Sequence, residues 1–206
     1  MARSFARMPE AERRHQLIEA TLDCIFEYGI QGTTVRSVAA HAGVTNGLIR
    51  HHFENKANLI AAAYQQVMLV ITSSAYQALA TAQGSPRERL HNFVEATLKG
   101  QAAEYRMLAL WGTFVGQSRV DPLIGSVRDE SYASLRSATE PLIAQVMRDA
   151  GKSASSVETS DLTIAILAII DGLWIESCLS DEGPQVDRLV NLGIRSIARL
   201  LDLPPK

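Results

Sequence analysis

The sequence predicts an all-α protein of about nine helices, and two observations lead to this prediction. Apolar residues recur at the three- and four-residue spacing of amphipathic helices along most of the chain, and no segment keeps the two-residue alternation of a half-buried strand. Residues that favour helix starts and ends also stand at the borders of these segments. The chain has 206 residues, 47% of them hydrophobic, so it can form one large domain or two small ones with buried cores.

The first helix is predicted over about residues 9–28. Pro9 suits the first helical position, because the amide hydrogen that it lacks would have no partner there. Gly29 suits the C-terminal cap, because glycine adopts the left-handed conformation without strain. The apolar stripe of this helix consists of Leu17, Ile18, Thr21, Leu22, Ile25 and Tyr28.

Three helices are predicted next, and each begins at a residue whose side-chain oxygen can cap free amide hydrogens. A tight turn separates the first two, with a glycine that is free to adopt a positive φ. These elements run from Thr33 or Thr34 to His41, through the turn Ala42-Gly43-Val44, from Thr45 to His52, and from Asn55 to about Ala82.

The rest of the chain contains five predicted helices, separated by breaks rich in glycine, proline and polar residues. Pro86 and Pro122 each begin one of them, and Pro141 is expected to kink the second. The segment 151–160 is expected to be a polar loop. The five helices are predicted over about residues 86–101, 104–118, 122–150, 158–180 and 185–202.

Charge is distributed unevenly along the chain. The net charge is −2, but residues 1–56 carry seven Lys or Arg and six Asp or Glu, against 13 and 16 in the remainder. Four of the five histidines also lie within the first 52 residues. The total charge therefore does not indicate a nucleic-acid-binding protein, whereas its distribution mildly favours the N-terminal region for that role.

Composition favours a soluble cytoplasmic protein. Cys24 and Cys178 lie far apart among apolar residues, which favours buried free thiols over a disulfide or redox pair. The N-terminus lacks the apolar core of a signal peptide. The longest apolar run, 162–175, is interrupted by Asp171 and is shorter than the roughly 20 residues of a membrane span. We expect no membrane partner.

The two short helices around Gly43 form a candidate helix-turn-helix motif for double-stranded DNA. Val35, Val38 and Ala39 give the first helix an inner face, and Ile49 and Phe53 do the same for the second. Asparagine and arginine can pair with adenine and guanine edges in the major groove, and a lysine at a helix start can bind phosphate. The alternative is an ordinary helical corner with solvated faces. The outward candidates are Arg36, Thr45, Asn46, Gly47, Arg50, His51 and Lys56, with Arg7, Arg13 and Arg14 as further phosphate contacts.

Catalytic and metal sites are not predicted. No G-x-S-x-G, H-E-x-x-H, P-loop or G-x-G-x-x-G motif occurs in the chain. His51 and His52 project about 100° apart on a helix, so they cannot face one metal ion together. We therefore expect no enzyme activity, no metal and no cofactor. An enzyme on a helical scaffold and a helical adaptor that binds protein remain the weaker alternatives to DNA binding.

The segment TTVRSVAAHAGVTNGLIRHHFENKANLI resembles the signature of the tetracycline-repressor (TetR) family of transcriptional regulators. The resemblance implies a DNA-binding domain over residues 1–56 and a helical ligand-binding and dimerisation domain over 57–206. It implies that Thr34 and His52 also belong to the DNA surface. Two residues depart from the family pattern: Thr45 replaces serine, and Arg50 stands where tyrosine is common, so Arg50 contacts either a base or a phosphate. The matches are Thr34, Val35, Val38, Ala39, Ala42, Gly43, Val44, Gly47, Ile49, His52, Phe53, Lys56 and Leu59.

The last two helices are the expected dimer surface. A repressor of this kind reads two half-sites about 34 Å apart, which requires two copies of the chain. The final helix has a regular apolar stripe, and the helix before it is apolar nearly all round. The alternative is the core of a monomer, whereas the family resemblance implies a four-helix bundle between subunits. The candidates are Leu167, Val186, Leu189, Val190, Gly193, Ile197 and Leu200.

Six aromatic residues and one acid mark a candidate ligand pocket. Trp111 and Phe114 share a helix face, and Asp171 lies one turn before Trp174. An acid beside tryptophans suits a cationic ligand through charge and cation–π attraction. The alternative is that these aromatic side chains only fill the core. The candidates are Tyr64, Phe93, Tyr105, Trp111, Phe114, Asp171 and Trp174.

Stretches outside the DNA-binding head resemble the choline-responsive branch of the same family, which represses glycine betaine synthesis. They include MLALWGTFVGQS and LAIIDGLWIESCLS. The resemblance implies a small-molecule effector such as choline or betaine aldehyde. Related regulators share this pattern and respond to other ligands, so an apolar or drug-like effector remains the alternative.

Overall fold

The computed structural model describes residues 9–100, 105–179 and 185–204, with the backbone alone for residues 177 and 178. These residues form nine helices and no strand, so the all-α prediction is confirmed. The helices are α1 (Glu10–Gly32), α2 (Val35–His41), α3 (Asn46–Phe53), α4 (Lys56–Thr81), α5 (Pro86–Lys99), α6 (Tyr105–Gln117), α7 (Pro122–Asp149), α8 (Ser156–Leu179) and α9 (Val186–Leu200).

The end of α1 and the start of α2 follow the expected residues. Gly29 leaves helical geometry with φ 70° and ψ 172°, so the regular part of α1 ends there as predicted. The amide and hydroxyl of Thr33 both donate to the Gly29 carbonyl, at 3.1 and 2.8 Å. Thr34 is the cap of α2: its hydroxyl accepts from the Ser37 amide at 3.0 Å, while Ser37 Oγ accepts from the Thr34 amide at 2.9 Å. This reciprocal pair satisfies two otherwise free donors.

The turn between α2 and α3 is a Schellman motif around Gly43, whose φ is 65°. The Gly43 amide donates to the Ala40 carbonyl at 3.3 Å, and the Val44 amide donates to the Ala39 carbonyl at 2.9 Å. Thr45 precedes α3 as predicted, but the prediction that its side chain caps the helix is wrong, since its hydroxyl makes no capping bond. The first turn of α3 is therefore without a side-chain cap.

The start of α8 lies earlier in the chain than the sequence predicted. Ser155 Oγ accepts from the Glu158 amide at 3.2 Å, and the Glu158 carboxylate accepts from the Ser155 amide at 2.8 Å. This capping pair begins α8 at Ser156, so the prediction of a loop throughout 151–160 is wrong for its second half. The α7 helix continues through Pro141.

The described residues form two compact units, one within residues 1–67 and 109–127 and the other within residues 68–108 and 128–206. The core of the first includes the buried side chains of Leu17, Val38, Ile49, Phe53 and Phe114. In the second, α5, α8 and α9 pack on one another. The functional boundary at residue 56 remains a prediction, because compactness alone does not show which residues bind DNA.

In the described part of the chain, one helix, α4, is long and apolar enough to cross a membrane by length and composition, with a mean hydropathy of 1.2 over its most apolar 18 residues. Half of that stretch is buried inside the protein, and the core helix of a soluble protein meets the same criteria. Cys24 is a buried free thiol, as expected, and burial raises its pKa. The Cys178 side chain lies outside the described part of the structure.

Candidate nucleic-acid interface and ligand cavity

The orientation of α3 is set by two side chains four residues apart. Ile49 and Phe53 are 1% and 3% exposed and hold the inner face of α3 in the core of the first unit. Burying two such side chains contributes about 1.5–3 kcal/mol each. The opposite face consequently points to solvent. It carries Thr45, Asn46, Gly47, Arg50 and His51 as exposed residues, with His52 half-buried.

Two arginines of α1 are held by neighbours within the chain. The guanidinium of Arg14 lies 4.8 Å from the centre of the Phe53 ring, a cation–π contact between α1 and α3. Arg13 donates to the Gln16 side chain at 2.6 Å. Sequence reasoning missed the contact of Arg14, because nothing in the local pattern connects residues 39 positions apart. The phosphate roles of Arg13 and Arg14 remain predictions, and Arg7 lies outside the described residues.

The residues that flank α3 combine exposure with structural roles. Arg36 is exposed on α2, while the Thr34 hydroxyl, also exposed, belongs to the capping pair. The Lys56 ammonium donates to the Ile30 carbonyl at 3.3 Å, which ties the start of α4 to the end of α1. The Asn55 side chain caps α4 by accepting from the Asn58 amide at 2.9 Å, as predicted.

Gly47 has no structural need to be glycine. A Cβ added there would meet only the Thr45 hydroxyl, at 3.8 Å, an ordinary contact distance. Alanine would also favour the helix by about 1 kcal/mol relative to glycine. The missing side chain instead leaves the outer face of the first turn of α3 open to close approach by another molecule.

The histidines have neighbours within the protein. His41 pairs with Asp23 at 3.2 Å, which links α2 to α1. The rings of His51 and His52 meet edge to face with centroids 5.2 Å apart. In the described ranges, no three His, Cys, Asp or Glu side chains are grouped to hold a metal ion.

A small cavity of about 40 Å³ lies in the second unit. Asp171 and Trp174 of α8 line it together with Tyr132 of α7 and Thr97 of α5. The Tyr132 hydroxyl donates to the Asp171 carboxylate at 3.3 Å. Burial raises the pKa of Asp171 to about 6, and the bond from Tyr132 opposes that shift. The remaining lining residues are mainly apolar: Met68, Ile71, Ala75, Leu135, Leu167 and Ile170, with Thr72 and Ser131.

The other predicted ligand residues lie elsewhere. Tyr64 and Phe114 are fully buried and stack with ring centroids 4.6 Å apart in the first unit, which also contains the half-buried Trp111. Phe93 is buried in the second unit without lining the cavity, and Tyr105 is 63% exposed. Of the seven candidates, the structure brings only Asp171 and Trp174 together at this cavity. Tyr132 was missed, because no motif marks it.

Most of the predicted dimer residues pack against other residues of the same chain. Leu167, Val190, Gly193 and Ile197 are buried within one protomer. A Cβ at Gly193 would lie 3.0 Å from Leu173 and 3.3 Å from Leu98, so its small size serves the packing of α9 on α8 and α5. Val186 and Leu189 are half-buried, and Leu200 is 40% exposed.

A different apolar stripe remains exposed on α8. Its members are four or seven residues apart, and the exposed Asp161 and Glu176 lie in the two seven-residue gaps. Sequence reasoning missed this stripe, because α8 is apolar nearly all round and its pattern does not show which side the rest of the chain covers. The stripe consists of Val157, Ile164, Ala168, Gly172 and Leu179.

Two family models match the chain. Residues 17–63 match the model of bacterial regulatory proteins of the tetR family. Residues 86–202 match the model of the C-terminal domain of BetI-type transcriptional repressors. The first range contains α2 and α3, and the second contains most of the residues that line the cavity.

Individual relatives agree with these models. The HTH-type transcriptional regulator BetI of Burkholderia mallei is 29% identical over 189 residues, which are 92% of this chain and 93% of the relative. A crystal structure from Pseudomonas aeruginosa PAO1, described as a transcriptional regulator, is 32% identical, covers 97% of this chain and 95% of its own, and superposes with a TM-score of 0.88. A Saccharomonospora viridis regulator in complex with choline shares the fold, with a TM-score of 0.73, 20% identity, and coverage of 92% of this chain and 97% of its own.

The buried carboxyl of Asp171 predicts a pH-dependent stability. Its pKa is about 6 in the folded protein against an ordinary value of 3.8, so the folded state binds more protons between these values. Stability should fall as the pH rises through this window, by up to about 3 kcal/mol. Asp171→Asn should remove this slope. Urea unfolding of both proteins at several pH values between 4 and 8 measures the difference, and parallel curves for the two would contradict the assignment.

Proposed function

The chain belongs to the TetR family of bacterial regulatory proteins with a BetI-type C-terminal domain, and from this premise we propose that it is a ligand-controlled repressor that binds a palindromic operator as a homodimer. It is a DNA-binding transcriptional regulator and not an enzyme. We propose in addition that it represses transcription, that it acts as a homodimer and that a small-molecule effector controls it. We also propose that it is located in the cytoplasm, where the DNA of a bacterial cell lies.

The exposed face of α3 carries the DNA-binding part of the proposal. Asn46, Gly47 and Arg50 lie on the side opposite the buried Ile49 and Phe53, on a helix of eight residues with no acidic residue inside it. Such a helix can enter the major groove with its first turn against base edges. Arg50 can donate two parallel hydrogen bonds to guanine or bind a phosphate. Exposed Arg36 on α2 adds positive charge near the same surface.

The effector that we propose is a quaternary ammonium compound of the choline type, bound at the cavity beside Asp171. The carboxylate supplies a negative charge, and the Tyr132 and Trp174 rings supply aromatic surface for a cation. A cavity of about 40 Å³ has room for only a few water molecules, so the ligand must widen it. A purely apolar ligand is the second candidate, because most lining side chains are aliphatic.

Widening of the cavity suggests how the effector acts on DNA binding. Met68, Ile71 and Ala75 of α4 line the cavity, and the same helix begins at Lys56, three residues after α3 ends. A ligand that displaces the middle of α4 therefore acts on a helix joined directly to the DNA-binding segment. For the ligand to control DNA binding, α4 must have two arrangements, and the ligand must bind one of them more tightly than the other.

The dimer that we propose uses the exposed stripe of α8. Ile164 is 44% exposed, and Ala168 and Gly172 are small enough for close approach by a second helix. Exposed apolar surface of this kind is typical of an association site. Leu192 and Leu200, each 40% exposed on α9, extend the apolar area available to a second copy.

The DNA-binding proposal predicts salt-dependent retention of an operator fragment. In a gel shift with the palindrome upstream of its own gene, affinity should fall with added salt, because phosphate contacts release counterions. Arg50→Ala should lose about 1–3 kcal/mol, at one base position if Arg50 reads guanine and uniformly across sequences if it binds phosphate. Arg148→Ala, an exposed arginine near the end of α7, is the matched control and should bind normally. Absent or salt-indifferent binding would contradict the proposal.

Choline should bind better when Asp171 is ionised. With a pKa of about 6, the carboxylate is mostly ionised at pH 7 and mostly protonated at pH 5, so affinity should fall about tenfold between these values. Calorimetry with choline, and with its uncharged isostere dimethylbutanol as the control, measures the effect. Asp171→Asn should abolish the pH dependence. Binding of the isostere alone, or choline binding that ignores both pH and Asp171→Asn, would favour an apolar ligand instead.

Ile164→Glu should convert the dimer to a monomer, because it places a charge in the α8 stripe. Leu123→Glu is a control of matched exposure, since Leu123 is 45% exposed on α7 and lies outside the stripe. Sedimentation velocity on the three proteins separates monomer from dimer. A dimer that survives Ile164→Glu would move the interface away from α8.

A further inference from the structure

A second concave surface lies in the same unit as the cavity at Asp171 but is separate from it. It is a groove of about 570 Å³ between α5 and α9, and it shares no lining residue with the cavity. Its volume lies within the range of small-molecule sites, whereas the cavity at Asp171 is far smaller. The groove therefore offers space that the proposed effector site does not use.

The floor of the groove is apolar. Leu90 and Val94 of α5 and Ile197 of α9 are 4%, 1% and 1% exposed and form the core beneath the groove. Ile194 of α9 and Leu203 are half-buried and supply apolar surface to the groove itself. Ala198 of α9 is half-buried along the groove and presents only a methyl group. This surface can receive an alkyl chain without a change in the packing of the two helices.

The rim of the groove is positively charged. Arg87 of α5 and Arg195 and Arg199 of α9 line it, and Arg87 donates to the Pro204 carbonyl. Arg195 and Arg199 are four residues apart, so they lie one above the other on the helix. Within the described ranges, none of these three guanidinium groups has a carboxylate at ion-pair distance. His91, which also lines the groove, lies 3.8 Å from Glu95.

At the opposite end of the α5 and α9 pair, positive charge is paired with carboxylates. There Lys99 of α5 pairs with Glu95 at 3.1 Å and with Asp187 of α9 at 2.9 Å. Positive charge between α5 and α9 is thus neutralised by the protein at one end and left without carboxylates at the other. Among the residues that the structure describes, the lining of the groove contains no acidic one. A ligand with a negative head group would supply the missing charge.

We propose that this groove binds a single-chain amphipathic carboxylate, such as a medium-chain fatty acid, with the alkyl chain on Ile194, Ala198 and Leu203 and the carboxylate at Arg195 and Arg199. Arginine suits this task, because its planar guanidinium donates two parallel hydrogen bonds to a carboxylate. The same positive rim repels a choline-type cation. The chain therefore has two ligand sites of opposite charge preference, and α5 lines both, through Thr97 at the cavity and Val94 at the groove.

Calorimetry of the full-length protein with decanoate tests the proposal. Decanoate should bind saturably with one site per chain, and decylamine, which has the same chain and a positive head group, should not. The double variant Arg195→Gln/Arg199→Gln should weaken decanoate binding at least tenfold. Ala198→Phe, which fills the groove and keeps its charge, should weaken it as well. Urea unfolding of each variant checks that the fold is intact.

Arg188→Gln is the matched control, because Arg188 is exposed on α9 but does not line the groove, and it should bind decanoate as the unaltered protein does. Saturating choline should leave decanoate binding in place. Competition between the two ligands, equal binding by decylamine, or unchanged binding by folded groove variants would overturn the proposal. A change from dimer to monomer in the arginine double variant would also overturn it, since the groove would then be covered by a second copy. Each outcome is independent of DNA binding.

Discussion

The packing of Ile49 and Phe53 is the interaction on which the DNA-binding half of this protein depends. Because these two side chains are buried, α3 has one face free, and Asn46, Gly47, Arg50 and His51 are exposed on it. The guanidinium of Arg14 over the Phe53 ring adds a contact from α1. The capping pair of Thr34 and Ser37 and the left-handed Gly43 then set where α2 ends and α3 begins.

In the second unit, the corresponding constraint is the cost of burying a charge. Asp171 lies among aliphatic and aromatic side chains with the Tyr132 hydroxyl as its polar neighbour at 3.3 Å, and its raised pKa expresses that cost. Such a carboxyl is more stable as the neutral acid near pH 5 and gains most from a cation near pH 7. Because the ionised Asp171 carboxylate is destabilised by burial, it favours the binding of a positively charged ligand in the cavity.

Several helix borders were predictable from local residues. Gly29, Thr34, Gly43, Asn55 and Pro86 lie where expected, because each acts through a bond or a φ angle within a few residues of itself. The early start of α8 was not predicted, although the Ser155–Glu158 pair is a local signal that could have shown it. The apolar stripe of α9 was predicted to be part of the dimer surface, and the pattern did not reveal that α5 and α8 of the same chain pack on α9.

The sequence by itself determined the all-α class, the helix-turn-helix segment and the family, because periodicity, caps and motif spacing are properties of neighbouring residues. Only the tertiary structure decided which of the aromatic residues approach Asp171, that Tyr132 of α7 bonds to it, and that α8 keeps an apolar stripe exposed. It also brought the arginines of α5 and α9 to one groove. These facts depend on contacts between residues tens of positions apart, and such contacts follow from the packing of whole helices rather than from any local pattern.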